Sequence, residues 1–369
     1  MKKTIRIITP DSPGLLNDAK TYELIFIKNN FLVIVHKINN NTDTNNNNNT
    51  NNIVLDYCDV NLFLEHLPIN KLLYPCKINM FMPNHELFFH FDKLPYVHYI
   101  LCKTKIALEM FKYIKKENNY KYICLYTKFT TFIPKELRMP KHINNKDPNL
   151  FVHMAGKSRF KNTASLMYCW IKNDGFLNID PDIKLVITCY NSCFKYTMNE
   201  LKNWFKLPIH LNKDSHRNDI LIYKNIKLYV DKAPSNEYTN LLINANVAIC
   251  TSEREGFGHY INESRYYKTP VITINYAPMN ELIENNVNGF LIMKFKTAQT
   301  KQSQYMSIKT YKVYPNVDEL TEKIIYCIKN KNSLVELGIN SRKKFFKDKK
   351  FFNNKIKKII NNNILPKFN

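Results

Sequence analysis

Glycine is scarce in this chain, with 7 glycines in 369 residues, and there are only 2 tryptophans. No Gly-x-Gly-x-x-Gly or Gly-x4-Gly-Lys-Ser/Thr loop follows a predicted strand, which argues against a dinucleotide-dependent dehydrogenase and a P-loop NTPase. No apolar run approaches the roughly 20 residues that a membrane-spanning helix needs. The first apolar segment, Ile5–Thr9, contains Arg6 and is too short for a signal peptide. These absences predict a soluble globular protein in which the few glycines are informative.

Acidic residues are fewer than basic residues: the chain has 31 Asp and Glu and 54 Lys and Arg, which gives a net charge of +23. A basic chain attracts polyphosphates, so a nucleic-acid-binding protein is one alternative. However, the basic residues are mostly lysine and spread along the chain, densest over Arg342–Lys358, and they accompany many Asn, Ile and Tyr. An AT-rich coding sequence produces this bias without a functional demand, and the composition resembles that of giant DNA viruses and AT-rich protists. We therefore predict no nucleic-acid partner.

The nine cysteines are scattered, and no pair has the spacing of a zinc site or a disulfide framework. Cys102, Cys124 and Cys250 stand inside apolar, strand-like runs, as buried free thiols do. This usage predicts a reducing compartment. The expected location is the cytoplasm, which includes the periphery of a membrane and, for a viral protein, the cytoplasm of the host.

Strand-like and helix-like patterns alternate along the chain, which predicts parallel α/β sheets. Amphipathic patterns predict helices at 15–28, 104–116, 317–329 and 334–360. The predicted strands are Thr4–Thr9, Phe31–Ile38, Ile53–Val60, Ile78–Met82, Tyr99–Cys102, Tyr120–Tyr126, Phe151–Ala155, Lys184–Thr188, Asp219–Ile222, Lys227–Val230, Asn246–Cys250, Val271–Ile274 and Gly289–Ile292.

The length allows two domains with cores of their own. The asparagine-rich segment 39–52 cannot bury a core, so it is predicted to be an exposed insertion. Three prolines between Ile133 and Asn149 predict a linker. The domain boundary is therefore expected after Asn149.

The most informative segment is Ser252–Glu263, with the sequence SEREGFGHYINE. It joins an apolar strand to a helical pattern that is expected from Phe257 onward, so Glu255 lies in the connecting loop. Gly256 and Gly258 let the backbone approach a ligand, and the unpaired amides of a helix start suit a phosphate. Glu263 lies about 7.5 Å beyond Gly258 on the same helix, at roughly 1.5 Å per residue. The segment predicts a site for a diphosphate and for two sets of hydroxyl groups.

This segment resembles the Glu-x7-Glu signature of the retaining GT-B glycosyltransferases of the glycosyl transferases group 1 type, family 4 and its relatives. Val152–Thr163 is similar to the opening of that family's second domain, a strand followed by Gly-basic-x-x-x-Lys-Gly, with Asn162 in place of the last glycine. Lys268–Thr273 resembles the small-x-Pro-Val-Val strand, and Glu281–Ile292 resembles the Glu-Leu-Ile and Asn-Gly-Phe-Leu segment. The ordered matches cover roughly residues 150–293.

The resemblance implies an α/β fold of the GT-B class, with two Rossmann-like domains facing a central cleft. An acceptor-side domain is expected over 1–149 and a donor-binding domain over 150–345. A C-terminal helix over 346–369 is expected to cross back to the first domain.

The resemblance further implies a hexosyltransferase-type enzyme that moves a sugar from a nucleotide-diphosphate donor and retains the anomeric configuration. Glu255 would orient the sugar hydroxyls, while Lys157 and Lys161 would stabilise the leaving diphosphate. Glu263 would hold the ribose. The other implied donor-binding residues are Ser252, Gly256, Phe257, Gly258, Asp231, Lys232 and Arg159, the last also a substitute for either lysine.

No metal or other cofactor is expected, because fixed cations would take the place of a metal at the diphosphate. Asp180-Pro181-Asp182 matches the Asp-x-Asp metal motif of the other large glycosyltransferase fold. Pro181 favours a turn at this position, which argues against a metal site.

On the acceptor or sugar side, Gly14 follows the first strand, at a helix start whose amides could face a phosphate or the acceptor. Asn84, His85 and Glu86 follow the strand that ends at Met82, near where the family places polar groups against the transferred sugar; an exposed turn is the alternative. The acceptor is a glycan, a lipid or a protein, and either anionic or membrane-associated partners suit the basic chain. A sugar-nucleotide epimerase or hydrolase and a non-catalytic binding module are further alternatives.

Overall fold

The described residues form two units with separate sheets. The structure is a computed structural model that describes residues 2–38, 56–67, 75–88, 91–139, 146–207, 209–299 and 311–368. One unit consists of Met1–Phe132 with Lys347–Asn369, and the other of Ile133–Phe346. The boundary between the two units therefore lies between Phe132 and Ile133, earlier in the chain than the boundary expected after Asn149. The asparagine-rich segment 39–52 lies outside the described residues.

A parallel sheet forms the centre of the first unit, with the strand order β2-β1-β3-β4-β5-β6. The inner strands β1 and β3 are buried over almost their whole length, as is typical of strands inside a parallel sheet. Helix α1 begins with a proline, which has no amide hydrogen to leave unpaired. The Thr104 hydroxyl caps α2 by accepting from the Ala107 amide at 3.2 Å. The elements are β1 Thr4–Pro10, α1 Pro13–Lys28, β2 Leu32–Ile38, β3 Cys58–Leu64, β4 Cys76–Met82, β5 Tyr99–Cys102, α2 Lys105–Glu117 and β6 Ile123–Tyr126.

The second unit contains a mixed sheet with the order β14-β13-β12-β7-β8-β11-β10-β9. Strands β14 to β11 in this order are parallel, whereas β10 and β9 are antiparallel at one edge. A separate hairpin pairs β15 with β16. The elements are β7 Asp147–Gly156, α3 Thr163–Lys172, β8 Lys184–Cys189, α4 Ser192–Asn203, β9 Asn212–Lys213, β10 Ile220–Tyr223, β11 Ile226–Tyr229, α5 Ser235–Asn244, β12 Ala245–Cys250, α6 His259–Tyr266, β13 Val271–Ile274, α7 Met279–Leu282, β14 Gly289–Ile292, β15 Phe295–Ala298, β16 Lys312–Pro315, α8 Val317–Lys329 and α9 Lys331–Ile359.

Strand β7 begins at Asp147, so the prediction of a linker up to Asn149 is wrong for its last residues. Proline is tolerated in the first residues of a strand, where its missing amide breaks no ladder bond, and Pro148 occupies such a position. Asp147 pairs with Ala245 of β12, and its carboxylate forms an ion pair with Lys184 at 2.5 Å.

The long helix α9 packs tightly against the turn that follows α6. A Cβ atom on Gly338 would lie 2.2 Å from the carbonyl oxygen of Lys268, a distance that real Cβ atoms do not show. Glycine is therefore required for this close approach. Of the helices in the described part of the chain, none combines the length and the apolar character needed to cross a bilayer.

Candidate active site

The loop after β12 turns into α6 at a glycine with left-handed backbone geometry. Gly258 has φ +94° and ψ 55° and is the residue directly before the helix, which begins at His259. The helix start predicted at Phe257 is therefore two positions too early. A side chain at Gly258 would be strained by this φ value and would crowd Ile261 and Leu282, at 3.2 and 3.3 Å. The first amides of α6 consequently follow a short, glycine-flanked loop.

Four side chains meet at this loop, and we call them the Lys161 cluster: Lys161, Ser252, Glu255 and Tyr260. The Lys161 ammonium group donates a hydrogen bond to Glu255 Oε1. Ser252 Oγ donates to the same oxygen at 2.6 Å and lies 2.6 Å from the Tyr260 hydroxyl. The Lys161 ammonium also lies 4.0 Å from the centre of the Tyr260 ring. Because these groups are largely shielded from water, their charges interact more strongly than surface charges would.

The backbone around Lys161 is held by residues of the loop after β12. Thr251 Oγ1 donates to the carbonyl oxygens of Lys161 and Asn162, at 3.1 and 3.0 Å. The Glu253 amide donates to the Phe160 carbonyl at 2.8 Å. Asn162 has φ +53° and ψ 49°, a left-handed conformation that asparagine tolerates better than most residues. Asparagine thus adopts the conformation for which glycine would ordinarily be used.

His153 lies in β7 behind this loop and is completely buried. Its Nδ1 lies 2.8 Å from the Ile249 carbonyl, and its Nε2 lies 3.0 Å from Thr163 Oγ1. Burial lowers the pKa of His153 to about 4, and the nearby Lys161 charge acts in the same direction. A neutral imidazole therefore ties β7 to β12 and to the start of α3.

Glu263 lies on α6 and accepts a hydrogen bond from the Tyr238 hydroxyl of α5 at 3.0 Å. Burial raises the pKa of Glu263, while His259, Tyr238 and Lys161 act against this rise. Sequence reasoning missed Tyr238 and Tyr260. Tyr260 stands three positions before Glu263 and so shares its side of the helix, which was the available signal. Nothing comparable marked Tyr238.

The other residues predicted for the donor have different surroundings. Lys157 and Arg159 are exposed, and the Arg159 guanidinium carbon lies 5.1 Å from the ring centre of Phe160. Asp231 and Lys232 are exposed in the connection from β11 to α5, the helix that carries the partner of Glu263. Gly256 is buried in the loop, and the Phe257 ring is buried with its centre 5.3 Å from that of His259. The structure therefore brings one of the three predicted cations, Lys161, against Glu255.

In the first unit, two of the predicted residues, His85 and Glu86, interact electrostatically with the buried Lys103. Gly14 is exposed in the first turn of α1, and Asn84 donates to Glu86 at 3.4 Å in the turn after β4. His85 is buried, and burial together with the charge of Lys103 lowers its pKa to about 3. Lys103, which the sequence reasoning missed, follows β5 and is itself buried among carboxylates.

Within the described residues, no group of three or more His, Cys, Asp or Glu side chains is arranged to hold a metal ion. The Asp180-Pro181-Asp182 segment forms a turn, in which Asp180 accepts from the Asp182 amide at 3.0 Å. Asp180 also pairs with Lys331, and this hydrogen bond is the main reason why the pKa of Asp180 is lowered.

Two further carboxylates interact with each other: Glu253, which belongs to the loop after β12, and Glu200 of α4. Glu253 is buried and forms an ion pair with Lys312 of β16 at 3.2 Å. Burial raises the pKa of Glu200 to about 7; the Glu253 charge adds to this rise, and the hydroxyl of Tyr196 and Lys312 oppose it. Glu200 therefore favours the folded state when it is protonated.

The raised pKa of Glu200 predicts a pH-dependent stability difference. Its contribution is present below the ordinary glutamate value of 4.5 and is lost as pH rises through about 7, because the folded state binds the extra proton. We expect Glu200→Gln to raise the free energy of unfolding by about 1–3 kcal/mol relative to wild type at pH 8, with a much smaller difference at pH 5. Urea unfolding at both pH values measures this, with the exposed Glu109→Gln as control. Equal differences at the two pH values would contradict the prediction.

Residues 214–304, which include α5, the loop and α6, match the family model described as glycosyl transferases group 1. Lys161 lies outside the matched segment. No curated protein sequence matches the chain.

Solved structures match the fold of the chain over most of its length. A glycosyltransferase from Rickettsia africae ESF-5 has a TM-score of 0.59 at 15% identity, covering 98% of this chain and 99% of that one. HepE from Anabaena, solved with UDP and glucose, has a TM-score of 0.59 at 12% identity, covering 96% and 99%. TarM has a TM-score of 0.54 at 14% identity. The match covers 82% of this chain and 54% of TarM, so this chain spans about half the length of TarM.

At these identities, the structural likeness shows the fold. The fold class is GT-B, with two Rossmann-like domains, as the sequence predicted. The predicted resemblance to glycosyl transferases group 1 is confirmed by the match over 214–304. Together, the match and the fold support a glycosyltransferase.

Proposed function

We propose that this chain is a glycosyltransferase that binds a nucleotide-diphosphate sugar in the unit formed by 133–346 and transfers the sugar to a glycan, lipid or protein acceptor. The observation that carries this proposal is the Lys161 cluster at the start of α6, with Glu263 on the same helix. The HepE structure holds UDP and glucose, so uridine nucleotides are the first donors to test.

The Lys161–Glu255 pair supplies a positive charge for the leaving diphosphate and a carboxylate for the hydroxyl groups of the transferred sugar. The first amides of α6 and the Lys161 ammonium provide positive charge for the diphosphate, whose negative charge increases as it leaves. Binding of the diphosphate draws the ammonium away from Glu255 and releases that carboxylate for the sugar hydroxyls. Ser252 and Tyr260 hold the loop in place during this exchange. Fixed protein charge can thus serve the diphosphate without a metal.

Glu263 suits the ribose of the donor. Its Oε2 is occupied by the Tyr238 hydroxyl, which fixes the carboxylate, and its Oε1 is assigned to the ribose hydroxyls. Family resemblance implies that the anomeric configuration is retained, through an oxocarbenium-like transition state. Retention, independence from metal and a cytoplasmic location stay predictions.

The proposal predicts that a nucleotide sugar stabilises wild type but not Glu263→Ala. A donor at about 100 times its Kd stabilises the folded state by about 2.7 kcal/mol, which raises the melting temperature measurably. Thermal unfolding against a panel of nucleotide sugars, with EDTA present, tests this. The exposed Glu109→Ala is the control, and it should respond as wild type does.

Product analysis then identifies the reaction. Free nucleoside diphosphate together with a glycosylated acceptor supports a transferase, and NMR of the new anomeric proton tests retention. Free sugar or an epimerised donor as the only product would replace the transferase with a hydrolase or an epimerase. If polynucleotides stabilise the protein and no nucleotide sugar does, the proposal fails. The net charge of +23 would then favour the nucleic-acid-binding alternative.

A further inference from the structure

The hairpin of β15 and β16 lies against the loop that carries Glu255. Its second strand places Lys312 beside Glu253 of that loop, with 3.2 Å between the ammonium nitrogen and Glu253 Oε2. The next residue, Val313, donates its amide hydrogen to the Glu253 carbonyl at 2.9 Å. The hairpin therefore holds the loop through an ion pair and a backbone hydrogen bond. Neither contact uses a residue that is assigned to the donor site.

Glu253 also connects this loop to the loop after β7. Its amide donates to the Phe160 carbonyl at 2.8 Å. Phe160 directly precedes Lys161 in the sequence, and Glu253 stands two positions before Glu255. The two members of the Lys161–Glu255 ion pair thus belong to segments that are joined at Glu253. A displacement of Glu253 would change the position of both charges.

The carboxylate of Glu253 needs a cation because water does not reach it. Its side chain is 1% exposed, and within the described residues Lys312 is the cation in ion-pair contact with it. Burial raises the pKa of Glu253, whereas the Lys312 charge opposes this rise, as do Arg254 and Arg159. Removing one partner of such a pair leaves a buried charge without compensation. The loop would have to move, or to take up a proton, to relieve that charge.

Lys312 also approaches the aromatic ring of Phe160. Its ammonium nitrogen lies 5.7 Å from the ring centre, and the Arg254 guanidinium carbon lies 3.8 Å from the same centre. A cation within about 6 Å of a ring centre is attracted to the ring. Lys312 therefore interacts with both residues of the backbone hydrogen bond between the two loops, the carboxylate of Glu253 and the ring of Phe160.

We propose that Lys312 is a positioning residue for sugar transfer. It neutralises Glu253 and maintains the hydrogen bond between the two loops, and so it holds Lys161 and Glu255 in the geometry that the leaving diphosphate requires. This inference rests on the proposed function, which supplies the diphosphate. Because the negative charge of the diphosphate increases as it leaves, a displaced Lys161 costs more in the transition state than in the donor complex. The loss should therefore affect kcat more than KM.

Steady-state kinetics of sugar transfer tests this role, with melting temperatures measured in parallel. Lys312→Met should lower kcat about tenfold or more, as a small misplacement of a reacting group does, and should change KM less than about threefold. Lys312→Arg should recover most of kcat, because it restores the charge. The control Lys296→Met removes an exposed lysine from β15 of the same hairpin and should remain within about twofold of wild type.

Two variants of Glu253 distinguish neutralisation of the carboxylate from simple packing. Glu253→Gln should lower kcat less than Lys312→Met does, since it leaves an unpaired cation that is 29% exposed and reaches water. Lys312→Met/Glu253→Gln should recover part of the loss, because no buried charge is left unpaired. The proposal is overturned if Lys312→Met keeps the kcat of Lys296→Met, even with a lower melting temperature, or if the double variant recovers nothing.

Hydrogen–deuterium exchange of the free protein tests the link between the loops without any substrate. Lys312→Met should speed exchange over 156–163 and 251–258, whereas Lys296→Met should leave both segments as in wild type. Unchanged exchange in Lys312→Met would overturn the link. If wild type transfers no sugar from any donor, the proposed function fails, and the exchange result still decides whether Lys312 holds the two loops together.

Discussion

Replacing Lys161 by alanine should lower kcat/KM for sugar transfer by about 10²–10³-fold, the usual effect of removing a fixed group that stabilises developing charge. Lys161 is the cation that the structure places against Glu255, next to the first turn of α6. Release of nucleoside diphosphate under subsaturating donor measures the effect. Because the change also leaves the Glu255 carboxylate without its cation, the melting temperature of the variant is measured in parallel.

Lys157→Ala is the matched control for this experiment. Lys157 belongs to the same loop and was predicted from the sequence to share the role of Lys161, but its side chain is exposed. We expect a change of less than about fivefold, as for a screened surface charge. Lys161→Arg should recover part of the activity, because it restores the charge with a different geometry. Equal losses in Lys157→Ala and Lys161→Ala would contradict the assignment to Lys161 alone and restore the predicted pair.

Lys103→Met should destabilise the protein by about 3–5 kcal/mol, the cost of removing one partner from a buried ion pair. The Lys103 side chain is 3% exposed and lies 3.0 Å from Glu65 and 3.6 Å from Asp18. Burial lowers the pKa of Lys103, but Glu65 and Asp18 outweigh it and the net pKa is raised. The ammonium is therefore charged in the folded protein, and methionine would leave buried carboxylates without it. Urea unfolding measures the loss.

The control for this change is Lys112→Met, on the exposed surface of α2, which should change the free energy of unfolding by less than about 0.5 kcal/mol. The double variant Lys103→Met/Asp18→Leu should recover part of the loss, since it removes a carboxylate together with the ammonium. A loss below about 1 kcal/mol in the single variant would show that the group is not a tightly coupled buried pair.

Much of the secondary structure follows from local patterns. Strands β5, β13 and β14 and helix α8 have the predicted bounds, because their apolar or amphipathic runs are clearly delimited. Strand β3 differs: it was predicted over Ile53–Val60 and spans Cys58–Leu64, with 53–55 outside the described residues. Its polar Asp59 and Asn61 obscured the pattern. Pairing with β1 and β4 on both sides determines where this strand runs.

The sequence by itself determined the alternating α/β pattern and the spacing of Glu255 and Glu263, since both depend on patterns within short segments, and its resemblance to glycosyl transferases group 1 implied the GT-B fold class. Only the tertiary structure decided which cation meets Glu255. Lys161 and Glu255 are 94 positions apart, and they meet because β7 and β12 are neighbours in one sheet. The same holds for Tyr238, which reaches Glu263 from another helix. Contacts between distant segments depend on strand pairing, which local sequence patterns do not encode.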